Sequence, residues 1–179
     1  LALTTAFLRA YFHSRVATVE DVERLLGVPV LASVGNVRRW LYRRRMPDAA
    51  MAAARQVLAF AERELAPRVL HVAGSSRDEG ARTLAAALAA AAQQRPGRKV
   101  LVAYAVLPVG PARDGALEPM DLSGLSFEEV RARVQAVAKT ADLVILAGPP
   151  LARDDGGAYA ALADASVFVV SGTGVHIDV

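Results

Sequence analysis

RVLHVAGSSRDEGARTLAAALAAAAQQ, residues 68–94, is the stretch whose reading decides the fold. Its opening, Arg68 to Ala73 (RVLHVA), is a short β-branched apolar run of the kind that forms a buried strand. The loop GSSRDEG follows, bounded by Gly74 and Gly80. The next residues are mostly Ala and Leu, the strongest helix formers, and Pro96 with Gly97 closes that helix. Strand, glycine-bounded loop and helix in this order make the first half of a βαβ unit.

The pattern repeats outward from there. KVLVAYAV, Lys99 to Val106, reads as a second strand, DLVILAG (Asp142 to Gly148) as a third and SVFVVSG (Ser166 to Gly172) as a fourth. Pro108 to Gly124 reads as a loop. Ser126 and Glu129 form a capping box that starts a helix from Phe127 to Thr140, and a short helix is expected around Tyr159 to Ala163, after the turn at Pro149 and Pro150. Strands joined through helices imply right-handed crossovers and an α/β fold with a doubly wound, mainly parallel sheet covered on both faces.

Toward the amino terminus, Thr18 is placed to cap a helix with Glu20 and Asp21 in its first turn, Val22, Leu25 and Leu26 on its apolar face, and Gly27 at its end. VPVLASV, Val28 to Val34, reads as a short strand. Gly35 to Arg45 is a basic connector, and Asp48 to Leu65 is a long Ala-rich helix stopped by Pro67. LALTTAFLRAYFHSR runs apolar from Leu1 to Leu8 and then turns basic and aromatic, which is how the cytoplasmic end of a transmembrane helix looks. A short amphipathic packing helix is the alternative. The expected organisation is therefore a juxtamembrane segment at 1–17, a helix, short strand and connector at 18–46, and an α/β domain at 47–179.

The 179 residues are 54% hydrophobic and 22% charged, proportions of one soluble globular domain of ordinary size rather than of a disordered chain. The absence of Cys excludes a disulfide scaffold and any thiolate-ligated metal site. The net charge is only +3, yet Arg38, Arg39, Arg43, Arg44 and Arg45 crowd into eight residues. Such a block seeks phosphate, anionic lipid or an acidic partner, unless it is only a solvated flank. The three His are scattered, and no Ser has a His and an Asp arranged for nucleophilic catalysis. His71 reads as a satisfied structural histidine within a buried strand.

In a doubly wound sheet, ligands bind beyond the carboxyl ends of the strands, so the loop after the first strand is the candidate site. A phosphate-binding loop of the form GxxxxGK[ST] presents backbone N–H groups to phosphate, reaches it with Lys and holds Mg²⁺ with a hydroxyl. Gly74, Ser75, Ser76, Arg77, Gly80, Arg82 and Thr83 make up the matching loop here. Ser75 stands at the first glycine position, Gly80 at the second, Ala81 at the Lys position and Arg82 at the hydroxyl position. Thr83 comes one residue late, rotated by about 100° around the helix.

GSSRDEGARTLAAALA, Gly74 to Ala89, resembles the SSxPGEGKSTxAANLA of bacterial tyrosine kinases (BY-kinases). Those belong to the ParA and MinD class of P-loop ATPases and are fused to polysaccharide chain-length regulators. Val100 to Pro108 (VLVAYAVLP) aligns with that family's VLLVDADLR, and Asp142 to Pro150 (DLVILAGPP) with its DxVIIDTPP. Asp155 matches an Asp before the next helix, Leu162 to Val170 resembles LADxxxLVV, and HSRVATVEDVERLLGVPVLASV (His13 to Val34) resembles the family's juxtamembrane segment. The resemblance implies a P-loop NTPase-like fold at the inner membrane, on its cytoplasmic side.

The departures fall on the chemistry. The family's Lys, the two acids of the second motif and the acid of DxVIIDTPP stand here as Ala81, Tyr104, Val106 and Ala147. The family's oligomerising ExxRxxR helix maps to Ala52, Arg55 and Leu58. The resemblance together with these departures implies a catalytically inactive domain without ATP, Mg²⁺ or another metal, and with weak self-association. Its expected partners are the anionic inner-membrane surface, contacted through Arg38, Arg39 and Arg43 to Arg45, and other polysaccharide export or polymerisation proteins. A divergent but active ATPase or tyrosine kinase is the first alternative, and a nucleic-acid-associated ParA-like protein the second. The latter is disfavoured because Trp40 and Tyr42 are the only base-stacking side chains interleaved with the arginines.

Overall fold

The computed structural model describes residues 19–34, 48–75, 80–106, 119–151, 153 and 155–170. Leu31–Val169 form one compact unit, and the helix at Val19–Leu26 (α1) with the residues to Val30 belongs to another. Gly27 ends α1 with φ +64, and its N–H donates to the Glu23 carbonyl at 2.9 Å. The Glu23 carboxylate accepts the Val30 N–H at 2.9 Å. The proposed Thr18 cap, the segment at 1–17 and the connector arginines lie outside the described residues.

The larger unit opens with α2 (Asp48–Glu64), then β1 (Val69–Gly74), α3 (Ala81–Gln93), β2 (Val100–Tyr104) and β3 (Met120–Asp121). It continues with α4 (Phe127–Ala138), β4 (Leu143–Ala147), a 3₁₀ helix at Ala158–Leu162 and β5 (Ala165–Val169). The five strands form one sheet in the order β3-β2-β4-β1-β5, and every pairing is parallel. Chain connections leave β1 in one direction toward β2 and reach β5 on its other side, with β4 inserted between β1 and β2.

Both faces of the sheet are covered, as a parallel sheet requires. On one, Val57 and Leu58 of α2 and Leu88 of α3 pack with Leu70, Val72, Val102 and Ile145. On the other, Val130 and Val134 of α4 and Tyr159 of the 3₁₀ helix pack with Val69, Ala103, Val144 and Leu146. Each fully buried Leu or Ile is worth about 1.5–3 kcal/mol by area removed from water. Alanines at 50, 54 and 61 of α2 and at 85, 89 and 92 of α3 are buried, so much of the helical covering is made of small side chains.

Two expectations need correction. Val28 to Val34 is not a strand: it pairs with no strand of the sheet, and Leu31 and Ala32 instead pack their side chains against the α2 and α3 face. Pro29 removes a ladder donor from that run. Conversely, the loop expected from Pro108 to Gly124 contains β3, which pairs with β2 through Ala103↔Met120 and Tyr104↔Asp121. Two residues are too few for a period-2 signal. Leu122, fully buried, anchors this edge, and its N–H donates to the Tyr104 carbonyl at 2.9 Å.

The capping box holds: the Glu129 N–H donates to Ser126 Oγ, and the Glu129 carboxylate accepts the Ser126 N–H at 2.8 Å. The Ser126 hydroxyl and N–H hold the Glu129 carboxyl below its ordinary range. The strands start on carboxylates too. Asp164 Oδ2 accepts the N–H groups of Arg68 and Val69, both at 2.8 Å, and Asp142 Oδ2 accepts the Lys99 N–H at 2.7 Å.

α2 ends under strain. Leu65 and Ala66 both donate to the Ala61 carbonyl, and Ala66 is left-handed with φ +44. That region costs an L-residue about 1–2 kcal/mol and a glycine little. Ala66→Gly is expected to stabilise the fold by about 0.5–1 kcal/mol after the greater freedom of glycine in the unfolded chain is subtracted. Urea midpoints measure it, and a lower midpoint would contradict the assignment.

Candidate functional site

The carboxyl ends of β1, β2 and β4 converge where the phosphate loop is expected. Gly74 closes β1, buried, and its carbonyl accepts the Leu151 N–H at 2.9 Å. Ser75 is half-buried; Ser76 and Arg77 lie outside the described residues. Gly80 takes φ +89 and forms the N-cap of α3 without a side-chain cap, and its carbonyl accepts the Leu84 N–H at 2.9 Å. A left-handed glycine followed directly by a helix N-terminus is the backbone geometry a phosphate loop uses.

The side chains around that backbone are another matter. Ala81, Arg82 and Thr83 are half-buried in the first turn of α3. At the end of β2, Tyr104 is buried, while Val106 is 38% exposed. Ala147 closes β4, buried, and its carbonyl accepts the Ala105 N–H at 3.0 Å, which ties the two strand ends together. Asp155 is exposed and bound by Arg153, whose Nε donates to Oδ1 at 3.1 Å. The donor set that Mg·ATP needs in a P-loop, a Lys, a hydroxyl directly after it and two or three carboxylates, is not what these positions supply. Among the described residues no three His, Asp or Glu side chains gather in a metal-binding group.

One acid was missed by sequence reasoning. Asp121 on β3 stands in register with Tyr104, at the same end of the sheet. Its Oδ1 accepts both the Ser123 N–H at 2.8 Å and the Ser123 hydroxyl at 2.6 Å, which lowers its pKa. An exposed carboxylate so engaged acts as a turn cap. No sequence signal announced it, because the strand that carries it is two residues long.

Beneath the site lies a buried His. His71 on β1 is fully enclosed; Nδ1 sits 3.3 Å from Ser166 Oγ, and Nε2 has no partner. Burial pushes its pKa down from 6.5 to about 4, so the ring is neutral at pH 7. Gly148, just after β4, lies against it: a Cβ there would come 2.3 Å from Nε2. The buried, structural placement of His71 agrees with the expectation, but the ring is not fully satisfied, because Nε2 is enclosed without a partner.

Of the helix that resembles ExxRxxR, Ala52 is exposed, Leu58 is buried in the core, and Arg55 donates from Nη2 to Gln94 Oε1 at 3.3 Å. Of the three positions only Leu58 is committed to the core, and Arg55 remains exposed. The connector arginines Arg38, Arg39, Arg43, Arg44 and Arg45 lie outside the described residues. No described helix is long and apolar enough to cross a membrane.

No family model and no curated protein matches the chain. Solved structures do. The kinase domain of Escherichia coli tyrosine kinase ETK superposes with a TM-score of 0.63 at 20% identity, over 86% of this chain and 81% of that one. The chimerical protein CapA2B2 gives 0.60 at 18% identity, over 86% and 85%. The BceF tyrosine kinase domain gives 0.58 at 15% identity, over 78% and 79%. At such identities the likeness is one of backbone architecture: the chain, with its all-parallel sheet, has the α/β, P-loop NTPase-like fold of bacterial tyrosine kinase domains.

Proposed function

We propose that this chain is a catalytically inactive BY-kinase-like domain, the cytoplasmic part of an inner-membrane polysaccharide co-polymerase, acting as a scaffold or regulator in exopolysaccharide, capsule or lipopolysaccharide assembly. The observation that carries the reading is a fold like that of tyrosine kinase domains around positions that lack the chemistry of the resembling motifs: Ala81, Arg82, Tyr104, Val106 and Ala147. Phosphoryl transfer depends on electrostatic positioning of the phosphates and metal. Removing the Lys and the metal-ordering groups weakens Mg·ATP binding by roughly 10²–10⁴, at on the order of 1.5–3 kcal/mol per lost charge-assisted contact.

The polysaccharide role and membrane address rest on the resemblance of the ordered motifs from His13 to Val170. In this reading residues 1–17 approach the bilayer, and Arg38, Arg39 and Arg43 to Arg45 meet anionic lipid, each worth up to about 1 kcal/mol and screened by salt. Self-association is weak in this reading, since Ala52 and Leu58 stand where the resembling helix has charged residues and only Arg55 keeps its charge. The partners are other proteins of polysaccharide polymerisation or export.

Calorimetry with ATP and Mg²⁺ at millimolar concentration tests the core of the proposal. No binding heat and no phosphate release are expected. Micromolar, Mg²⁺-dependent affinity would overturn it in favour of a divergent active ATPase or kinase.

A further inference from the structure

Among the described residues His71 is the buried polar side chain of the core, and the proposed function leaves it without a role. It stands on the α4 face of the sheet, in register with Ser166 of the edge strand β5, and its Nδ1 lies 3.3 Å from Ser166 Oγ. Nε2 lies against Gly148 and is enclosed without a partner. The Cα hydrogen that a side chain would replace at Gly148 therefore meets that nitrogen. A ring lone pair tolerates a C–H neighbour, whereas a buried N–H without an acceptor carries a desolvation penalty.

Gly148 begins a turn that leads to the candidate site. Its N–H donates to the Val72 carbonyl at 3.0 Å, and the Leu151 N–H donates to the carbonyl of Gly74, the last residue of β1, at 2.9 Å. Between them stand Pro149, fully buried, and Pro150. Two fixed φ angles leave the turn little freedom to absorb a shift at Gly148 before it reaches Leu151.

We propose that His71 is an acid-operated latch on this turn: with its proton on Nδ1 it bonds Ser166 and lets Gly148 close on the bare Nε2, and a second proton on Nε2 drives Gly148 away and releases Leu151 from Gly74. The imidazolium N–H has a C–H in front of it and no solvent, so only movement of the turn can satisfy it. The charged groups around this face sit at its rim. Asp142 and Asp164, ahead of β4 and β5, hold the N–H groups of Lys99, Arg68 and Val69. Arg153 and Asp155, ahead of the 3₁₀ helix, pair with each other, and Glu128, Glu129, Arg131 and Arg133 of α4 are exposed. Tyr159, on the same face, is held above its ordinary 10.0 and stays neutral in acid. Burial alone sets the titration of His71, at about 4. An opened turn returns the ring to 6.5, so opening is favoured about 30-fold more at pH 5 than above pH 7.5. The latch works whether or not the phosphate loop binds a nucleotide, so it stands or falls apart from the proposed function.

Two NMR measurements on the full 179-residue chain test it. Ring nitrogen shifts at pH 7.5 should show Nδ1 protonated and Nε2 bare; a proton on Nε2 instead would overturn the latch. Amide exchange, corrected for its intrinsic pH dependence, should show protection at Gly148 and Leu151 falling about 30-fold between pH 7.5 and 5. Leu122, whose N–H bonds the Tyr104 carbonyl on the other side of the sheet from β5, should change less than about threefold. An equal fall at Leu122 would mean unfolding of the whole molecule, and unchanged protection at Leu151 would mean a turn indifferent to the ring; either result overturns the proposal. In His71→Leu, or in His71→Asn if the first does not fold, the acid-induced loss at Gly148 and Leu151 should vanish. Its persistence would assign the response to another group and overturn the latch.

Discussion

Lowering the pH from 6.5 to 4 is expected to remove about 3 kcal/mol of stability through His71 alone. Folded, its imidazole titrates at about 4, because burial leaves the cation without solvent. Unfolded, it titrates near its ordinary 6.5. Between those values the unfolded chain takes up a proton that the folded chain refuses, so stability falls as the pH falls. Above about 7.5 the ring is neutral in both states and contributes no slope. Asp121 and Glu129, whose carboxyls are held low by Ser123 and Ser126, lose their contribution only as the pH falls below the ordinary carboxylate range. The upper part of the window therefore belongs to His71 among the described groups whose pKa is shifted.

Urea unfolding at several pH values of the chain and of His71→Leu measures this. The variant should be flat between pH 7 and 5, while the parent declines. At neutral pH it should be no less stable than the parent. In either tautomer the parent keeps one buried ring nitrogen unpaired, and replacing such a group with an apolar one removes a penalty of about 1–3 kcal/mol. Equal slopes in the two proteins would show that the acid sensitivity arises elsewhere.

Putting back a side chain at Gly148 is expected to destabilise the fold by about 2–3 kcal/mol even as Ala. The new Cβ would lie 2.3 Å from Nε2 and 3.0 Å from Cδ2 of a ring held in a closed core. Thr, which the resembling DxVIIDTPP motif carries at this position, should cost more. The clash is specific to one neighbour, so it is relieved in the His71→Ala background. A double-mutant cycle on His71→Ala and Gly148→Ala should show a coupling of at least about 1 kcal/mol. Additivity of the two changes would mean that the backbone, not the imidazole, sets the space at Gly148.

With Ala147 buried at the end of β4, a large ring on β1 fills the space beside a residue without a side chain. Introducing the Thr of the resembling DxVIIDTPP motif at position 148 would therefore meet a core without room for it.

Much of this architecture is legible in local sequence. The strands at Val69, Val100, Leu143 and Ala165 announce themselves as short apolar runs, and the ends of α3 and α4 are marked by Gly80, Ser126 and Glu129. Those signals depend on contacts within a turn or two of the chain, which the sequence writes down directly. That Ala81, Tyr104, Val106 and Ala147 carry no charge is legible in the same way, because a residue's charge needs no fold to be read. The strand order β3-β2-β4-β1-β5, the two-residue β3, the packing of Leu31 and Ala32 without a ladder, and the meeting of His71 with Gly148 were settled only by tertiary structure. So was the meeting of the turn at Leu65 and Arg68 with Lys139, which lies far away in the chain. Each depends on which surfaces pack together once apolar area is removed from water, and that choice belongs to the whole chain rather than to any window of it.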